Sequence, residues 1–174
     1  MIPLGLPAKK SVLKGLRAGE RVALSGILYA ARDQAHLRLL KTLDAPPFPL
    51  ENAAIYYVGP TPAKPGKITG SAGPTSSYRM DEAAIPLIGK GVNIMIGKGE
   101  RDASIRDACA EYGAVYLMAT GGAGALLASK IASSRVIAYE DLGPEAVREL
   151  VVKDFPCLVA YDTHGNSIFR SDDT

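Results

Sequence analysis

The chain has 174 residues, with 20 Lys and Arg against 18 Asp and Glu, and 47% of its residues are hydrophobic. This length and composition fit one globular domain with a substantial core, and they exclude disorder over most of the chain. The net charge of +2 provides no basic field of the kind that nucleic-acid and membrane-surface binders use, and no apolar run approaches the ~20 residues of a membrane span.

The first half of the chain is predicted to contain strands joined by long connections. Residues 1–20 are expected to be irregular, and their opening, MIPLGLPAKKS, lacks the basic start and apolar run of a signal peptide, so we expect a cytoplasmic location. Alternating and β-branched residues predict strands at 21–29 and 53–58, with a short strand at 67–69. Between the first two strands, Asp33 is placed to cap a helix that carries three periodic leucines, Leu37, Leu40 and Leu43.

The second half alternates regularly between helices and strands. Helices are predicted at 81–88, 102–112 and 145–151, and another begins inside the glycine run 121–124. Strands are predicted at 92–96, 114–118, 135–139 and 158–161, and the last forms a β-hairpin with 167–169 through the turn 163–166. A strand-rich first half followed by this alternation indicates one α/β domain, residues 1–174, with a mixed sheet and flanking helices.

The few cysteines and histidines restrict the metal chemistry of this chain. Cys109 and Cys157 are its only cysteines, and His36 and His164 are its only histidines. Two cysteines exclude a disulfide framework, a four-cysteine zinc site and an iron–sulfur cluster held by this chain alone. Both cysteines are expected to be small buried apolar residues.

Three segments place a cation where a strand ends and a helix begins. Arg32 follows the strand at 21–29, Arg79 closes the loop 70–79, and Lys98 follows the strand at 92–96. Ligands of open α/β sheets bind beyond the carboxyl ends of strands, where helix N-termini and arginine forks favour anions. Each feature alone is also typical of a plain connection or a solvated surface residue. Together they predict a site for a small molecule with more than one carboxylate.

Common phosphate-binding and nucleophile motifs are absent from the sequence. No Gly-Lys pair is followed by Ser or Thr as a Walker loop requires, and no Gly-x-Ser-x-Gly elbow occurs. The run Gly121-Gly122-Ala123-Gly124 lacks the third glycine of a dinucleotide fingerprint, because position 127 is Leu. Close packing at a helix start is the simpler explanation of that run.

Several separated motifs resemble one known family. The segments GSAGPTSSYRMD and IPLIGKGVNIMIGKGE resemble the β subunit, or C-terminal domain, of the class I iron–sulfur fumarate hydratases and L(+)-tartrate dehydratases. The resemblance also includes ARDQAH at 31–36, IYYVGP at 55–60, YGAVY at 112–116, LGPEA at 142–146 and DFP at 154–156. Two departures from the family pattern are Ser76 in place of the second loop Thr, and Gln34 in place of Ala.

This resemblance implies a fold, a reaction and a partner. The implied fold is a swivelling β/β/α domain, and the implied activity is a hydro-lyase reaction, the reversible hydration of fumarate to (S)-malate. The resemblance also implies a [4Fe–4S] cluster that the cysteines of an α subunit hold and whose open iron binds substrate as a Lewis acid, in an α2β2-type assembly. Two alternatives stay open: a tartrate dehydratase β subunit that yields oxaloacetate, and a non-catalytic anion-binding or assembly module.

The resemblance also implies roles for four residues. Thr75 matches the loop Thr that acts as the candidate catalytic base, and substrate-binding residues are implied at Arg32, Arg79 and Lys98. Cations beside the substrate carboxylate would stabilise the charge that accumulates when the neighbouring proton is removed. A Thr hydroxyl is a poor base at neutral pH, so Thr75 would need nearby cations or a proton relay.

Overall fold

The computed structural model describes residues 1–120 and 124–170. Its seven strands are β1 Ile2–Gly5, β2 Arg21–Ala30, β3 Ala54–Tyr56, β4 Ile94–Gly97, β5 Val115–Ala119, β6 Ile131–Ala138 and β7 Val147–Tyr161. Its five α-helices are α1 Lys10–Leu13, α2 Asp33–Leu40, α3 Asp81–Gly89, α4 Ala103–Tyr112 and α5 Gly124–Ser129, and two 3-10 helices lie at Ser77–Met80 and Glu140–Glu145. None of the described helices is long and apolar enough to cross a bilayer.

The strands form one mixed sheet that closes on itself. Strands β1, β2, β3, β4 and β5 run parallel to their neighbours in that order, and the long β7 pairs antiparallel with β5, β6 and β2. The pairings β2–β3–β4–β5–β7–β2 therefore make a ring, which β1 and β6 extend. The rings of Tyr56 on β3 and Phe155 on β7 meet at a centroid distance of 5.2 Å although their strands are not paired, so they touch across the inside of this ring.

Each face of the ring has its own hydrophobic core. One cluster contains Leu24, Tyr56, Ile96, Leu117 and Phe155, which come from all five ring strands. The other contains the residues that alternate with them, such as Ile55, Met95 and Tyr116, together with the buried sides of α2, α3 and α4. The period of two along each strand thus separates an inner core from an outer core that the helices cover.

The architecture confirms the predicted fold class, an α/β fold with a mixed sheet and flanking helices, but it corrects two elements. Residues 1–20 are not irregular throughout, because β1 pairs with β2 in parallel and α1 buries Leu13. The predicted helix at 145–151 is wrong, because most of this segment belongs to β7. Its apolar residues fit a helical period, but β2 and β6 hydrogen-bond to both of its edges, and this tertiary pairing outweighs local propensity.

Three smaller predictions have mixed outcomes. Residues 67–69 form no strand but lie in an exposed loop with a turn from Lys64 to Lys67. The terminal hairpin is confirmed only as a tight turn with a single antiparallel bridge, between Tyr161 and Ser167. Helix α5 begins at Gly124, and residues 121–123 of the predicted start lie outside the described residues.

Candidate active site

The predicted site residues follow the carboxyl ends of parallel strands. Arg32 comes two residues after β2, and Lys98 comes directly after β4. Thr75 and Arg79 lie on the connection that follows β3, and this connection is tied to β3 because the buried Tyr56 hydroxyl donates to the Ala72 carbonyl at 2.5 Å. Because parallel strands end at the same edge of a sheet, the fold gathers the four predicted residues at one edge.

Arg32 is held by its immediate surroundings. Its Nε lies 3.3 Å from an Asp33 carboxylate oxygen and 3.4 Å from Glu145 Oε1, and its side chain is 27% exposed. Glu145 also accepts the backbone N–H of Gln34 at the start of α2. Gly59 packs so closely on Arg32 that a Cβ there would lie 3.1 Å from the guanidinium. The Arg32 side chain is therefore held in place at the connection between the end of β2 and the start of α2.

Asp33 joins the two arginines of the site. The Nε and Nη2 of Arg79 donate to the two Asp33 carboxylate oxygens at 3.0 and 2.5 Å, and Arg32 bonds to the same carboxylate. Partial burial would raise the pKa of Asp33, but the hydrogen bonds and charge of Arg79 outweigh burial and hold the pKa below its usual value. Asp33 is thus not the predicted helix cap: Arg32 occupies the cap position, and the Asp33 carboxylate acts as a shared counter-ion.

The loop that carries Thr75 is fastened to the turn that carries Lys98. The Thr75 N–H donates to the Tyr57 carbonyl at 2.7 Å, and the Ser77 N–H donates to the Lys98 carbonyl at 3.0 Å. In return, the Lys98 N–H donates to the Ser77 hydroxyl at 3.0 Å. This approach requires Gly97, since a Cβ at that position would lie 1.8 Å from the Ser77 hydroxyl. Two predicted site residues therefore share one backbone framework.

His36 supports the backbone of Arg32 from the core. Its Nδ1 lies 2.8 Å from the Arg32 carbonyl, which can only accept, so Nδ1 carries a proton. Burial lowers the pKa of His36 to about 4, against the opposing effect of that backbone hydrogen bond. The His36 ring is therefore neutral and buried, and it packs edge-on against Tyr57, so His36 has a structural role in the site.

The site is cationic and open. Arg79 and Lys98 are exposed, and Thr75 is half-buried. The site contains three cationic side chains and two carboxylates, so its net charge is +1; these groups are Arg32, Arg79, Lys98, Asp33 and Glu145. Guanidinium and ammonium groups at the end of a sheet suit carboxylate ligands. The arrangement can hold an organic anion, and its open side needs a second surface if water is to be excluded.

The described residues of this chain do not provide the ligands of an iron–sulfur cluster. Cys109 belongs to the outer core and Cys157 to the inner core, so their thiols lie on opposite faces of the sheet. Burial raises the pKa of Cys109 to about 12, which disfavours the thiolate that a metal requires. Within residues 1–120 and 124–170, no three His, Cys, Asp or Glu side chains form a metal-binding group.

Sequence reasoning missed most of the residues that hold the site in place. Asp33 and Glu145 lie inside the family motifs, but the sequence predicted no part in binding for them. It predicted no role for Gly59 or Ser77 either. A carboxylate directly after an arginine at a strand exit is the only one of these signals visible before folding. The contacts of Gly59, Ser77 and Glu145 join segments far apart in the chain, which no local pattern reveals.

Comparisons with known proteins agree on one family. The family model described as Fumarase C-terminus matches residues 2–172. A Methanocaldococcus jannaschii protein assigned by name to the L(+)-tartrate dehydratase β subunits is 40% identical over 170 residues, or 92% of this chain and 87% of that protein. The L(+)-tartrate dehydratase subunit beta of Escherichia coli K12 is 32% identical over 95% of this chain and 85% of its own length. The aerobic class I fumarate hydratase of E. coli K12 is 37% identical over 86% of this chain, but the match spans only 28% of that enzyme.

Proposed function

The chain belongs to the Fumarase C-terminus family, and from that membership we propose that it is the β subunit of a two-subunit iron–sulfur hydro-lyase that hydrates fumarate reversibly to (S)-malate. The observation that carries the proposal is the pair of arginines joined by Asp33 at the carboxyl edge of the sheet. A dicarboxylate needs such a cationic surface, and the position of that surface beyond the strand ends is the usual one for ligands of this architecture.

Arg32 and Arg79 bind a substrate carboxylate in this proposal. Asp33 occupies the Nε and Nη2 edge of Arg79, which leaves the Nη1 side of the guanidinium for the substrate. The Nε of Arg32 likewise faces Asp33 and Glu145. Both guanidinium groups are therefore held by protein carboxylates on one side and can bind the substrate with the other, without losing orientation.

Lys98 and Thr75 serve the proton transfer. Removing a proton from the carbon next to a carboxylate moves charge onto that carboxylate, and the Lys98 ammonium together with the arginines stabilises it. The Thr75 oxygen first gives its own hydroxyl proton to water and then takes the proton from the substrate carbon, and a cation such as Arg79 or Lys98 would favour its deprotonated form. The Thr75 backbone is fixed through its N–H to Tyr57, so the side chain can be changed without releasing the loop.

An α subunit completes the site in this proposal. The chain offers no cluster ligands among its described residues, so the [4Fe–4S] cluster belongs to the partner, which also covers the open side. The relatives that this chain matches over 85–87% of their length are named as β subunits, which supports an α subunit as the partner. The assembly is of the α2β2 type and works in the cytoplasm.

A second candidate substrate is L(+)-tartrate, which would be dehydrated to oxaloacetate. The relatives named as β subunits are tartrate dehydratase subunits, and the 40% identity of one of them exceeds the 37% of the fumarate hydratase. Tartrate differs from malate by one hydroxyl, and the cationic groups of the site recognise the carboxylates that the two substrates share.

Anaerobic co-expression with an α chain that carries three cluster cysteines tests the proposal. The purified complex is assayed with fumarate, (S)-malate and L(+)-tartrate, and a complex with Arg32→Ala serves as the site control. Conversion of fumarate and malate that the Arg32→Ala variant loses supports the proposal, and turnover of tartrate alone supports the second candidate. A stable complex that turns over neither substrate would identify a non-catalytic assembly module and overturn the proposal.

A further inference from the structure

Arg101 is an arginine buried directly behind the candidate site. Its side chain has 0% exposure, and its Nε bonds to Asp81 Oδ1 at 2.6 Å. Its Nη1 donates to the Tyr57 hydroxyl at 2.9 Å, and its guanidinium carbon lies 5.0 and 5.1 Å from the ring centroids of Tyr57 and Tyr116. The guanidinium is therefore clamped between two aromatic rings and one carboxylate.

Each of these three partners holds a different part of the site. Tyr57 accepts the Thr75 N–H through its carbonyl. The Tyr116 hydroxyl bonds to the Ser77 hydroxyl at 2.9 Å and to the Gly99 carbonyl at 2.8 Å, on either side of the contact between the two loops. Asp81 is the first residue of α3, directly after the 3-10 helix that carries Arg79, and it also accepts the Asp102 N–H.

The hydrogen bonds around Tyr116 have one consistent direction. The Gly99 carbonyl can only accept, so the single Tyr116 hydroxyl proton goes to it, and the Ser77 hydroxyl then donates to the Tyr116 oxygen. The Ser77 oxygen is left to accept the Lys98 N–H. One chain of hydrogen bonds thus joins the Thr75 loop, the Lys98 turn and the buried Tyr116 ring. The Tyr116 ring in turn packs against Arg101.

Stability alone is a poor reason for a cation at this position. Removing a guanidinium from water is expensive, and well-packed apolar residues often replace a buried ion pair at no loss of stability. Arg101 has one carboxylate partner, Asp81, and its other contacts are neutral. What the guanidinium provides, and an apolar side chain cannot, is a rigid fork that fixes Asp81 and Tyr57 at set directions.

We propose that Arg101 is a positioning residue that sets the Thr75 loop, the Lys98 turn and the start of α3 in register with one another. The proposal rests on the hydro-lyase function for its kinetic consequences, but not for its structural ones. Arg101 touches no substrate in this scheme. It acts through Tyr57, Tyr116 and Asp81, and its loss should disturb the groups that move the proton more than the arginines that bind substrate, because Asp33 holds Arg79 independently.

Amide hydrogen exchange on the full chain tests the structural part. Arg101→Lys keeps the charge and can still reach Asp81, but it lacks the planar fork, and Arg101→Met keeps an unbranched apolar stem that can pack between the rings. We expect both to speed exchange at the Thr75, Ser77 and Lys98 amides by about tenfold or more, with the amides of β4 and β5 unchanged. Arg135→Lys is the control for the substitution itself, because Arg135 on β6 makes a two-bond pair with Glu149 on β7 but has a 72% exposed side chain.

Kinetics of the reconstituted complex test the consequence. We expect Arg101→Lys to lower kcat by about tenfold or more and to change KM by less than about threefold, with Arg101→Met lowering kcat further. Wild-type kcat in Arg101→Lys, or a uniform rise in exchange over the whole chain with kcat intact, would overturn the proposal in favour of a merely structural role. If the wild-type complex lacks hydro-lyase activity, the proposed function fails, and selective exchange at the three amides still decides the role of Arg101.

Discussion

Asp33 shows how one residue sets the chemistry of the site. Two guanidinium groups this close would repel each other, and the Asp33 carboxylate between them offsets that repulsion. The carboxylate also fixes both forks, so little side-chain entropy would remain to be lost if the two arginines bind substrate as proposed. The predicted residues Arg32 and Arg79 therefore depend on a third residue that the sequence pattern placed in a helix cap.

Replacing Arg79 with Lys should weaken transition-state binding. The lysine keeps the charge but loses the fork that engages both oxygens of Asp33. We expect kcat/KM of the complex to fall about tenfold, or about 1.4 kcal/mol. Arg135→Lys, which removes a similar two-bond pair on the exposed β6, should leave kcat/KM unchanged. Equal kinetics for Arg79→Lys and wild type would remove Arg79 from the site.

Replacing Thr75 with Val separates proton transfer from binding. The variant keeps the side-chain shape, and the backbone bond from Thr75 to Tyr57 is unaffected. If the hydroxyl moves the proton, kcat should fall by roughly 10²–10⁴ with KM little changed, and Thr75→Ser should retain much of the activity. A raised KM with an intact kcat would mean that the hydroxyl only binds substrate, and the base would then belong to the partner subunit.

The buried His36 should make the fold sensitive to mild acid. Burial lowers its pKa to about 4 in the folded chain, whereas an unfolded histidine titrates near 6.5. Between these values the unfolded state binds the extra proton, so the free energy of unfolding falls as the pH falls, by up to about 1.4 kcal/mol per pH unit. Above about pH 6.5 the effect is absent, and below about pH 4 it is complete.

Urea unfolding at pH 7, 6 and 5 measures this effect. The variant His36→Gln can still donate to the Arg32 carbonyl but does not titrate, so its unfolding free energy should vary less over this range. His164→Gln, at an exposed position, is the matched control for replacing a histidine with glutamine. Identical pH dependence of the unfolding free energy in His36→Gln and wild type would show that His36 does not cause the acid sensitivity. Asp33 and Asp162 have lowered pKa values and contribute mainly below about pH 5.

At the scale of elements, the sequence was informative where a pattern was local and periodic. The strand at 21–29 and the helices at 81–88 and 102–112 closely match β2, α3 and α4. The segment 145–151 failed because its spacing satisfies a helix while its Val147 and Val151 also suit a strand, and only pairing with β2 and β6 decides between the two. The loop–turn contact at Ser77 depends on the absence of a side chain at Gly97. Only the folded structure reveals this requirement, because Ser77 and Gly97 are far apart in the sequence.

Adding a methyl group at Gly97 should disrupt this contact. A Cβ there would lie 1.8 Å from the Ser77 hydroxyl and 2.9 Å from the Tyr57 ring, so the Thr75 loop must move. We expect Gly97→Ala to cost about 1–3 kcal/mol of stability and to lower kcat of the complex by about tenfold or more. Gly89→Ala, at a position with nothing within 4 Å of the new Cβ, is the matched control and should leave kcat unchanged. Wild-type activity in Gly97→Ala would show that the contact does not position the loop.

At the scale of the whole molecule, the motifs predicted the family and the fold class, and the match over residues 2–172 confirms the family. They could not predict that the sheet closes, because closure depends on β7 bonding to β2 and β5, strands that precede it by many residues. The closed ring leaves the site on an outer edge rather than in an internal cavity. A hydro-lyase site with this geometry would need a second surface above Arg79 and Lys98 to exclude water.

The purified chain on its own should therefore be folded, colourless and inactive. Its two thiols lie in separate cores on opposite faces of the sheet, so they cannot bind one cluster together. We expect a cooperative unfolding transition, no bound iron and no turnover of fumarate, malate or tartrate until the α subunit is added. Iron content, the visible spectrum and the assay measure this directly.

The variant Cys109→Ala/Cys157→Ala provides the control, since its complex should bind as much iron as wild type. Hydro-lyase activity from the chain alone, or loss of iron from that variant complex while the chain stays folded, would show that the cluster depends on this subunit.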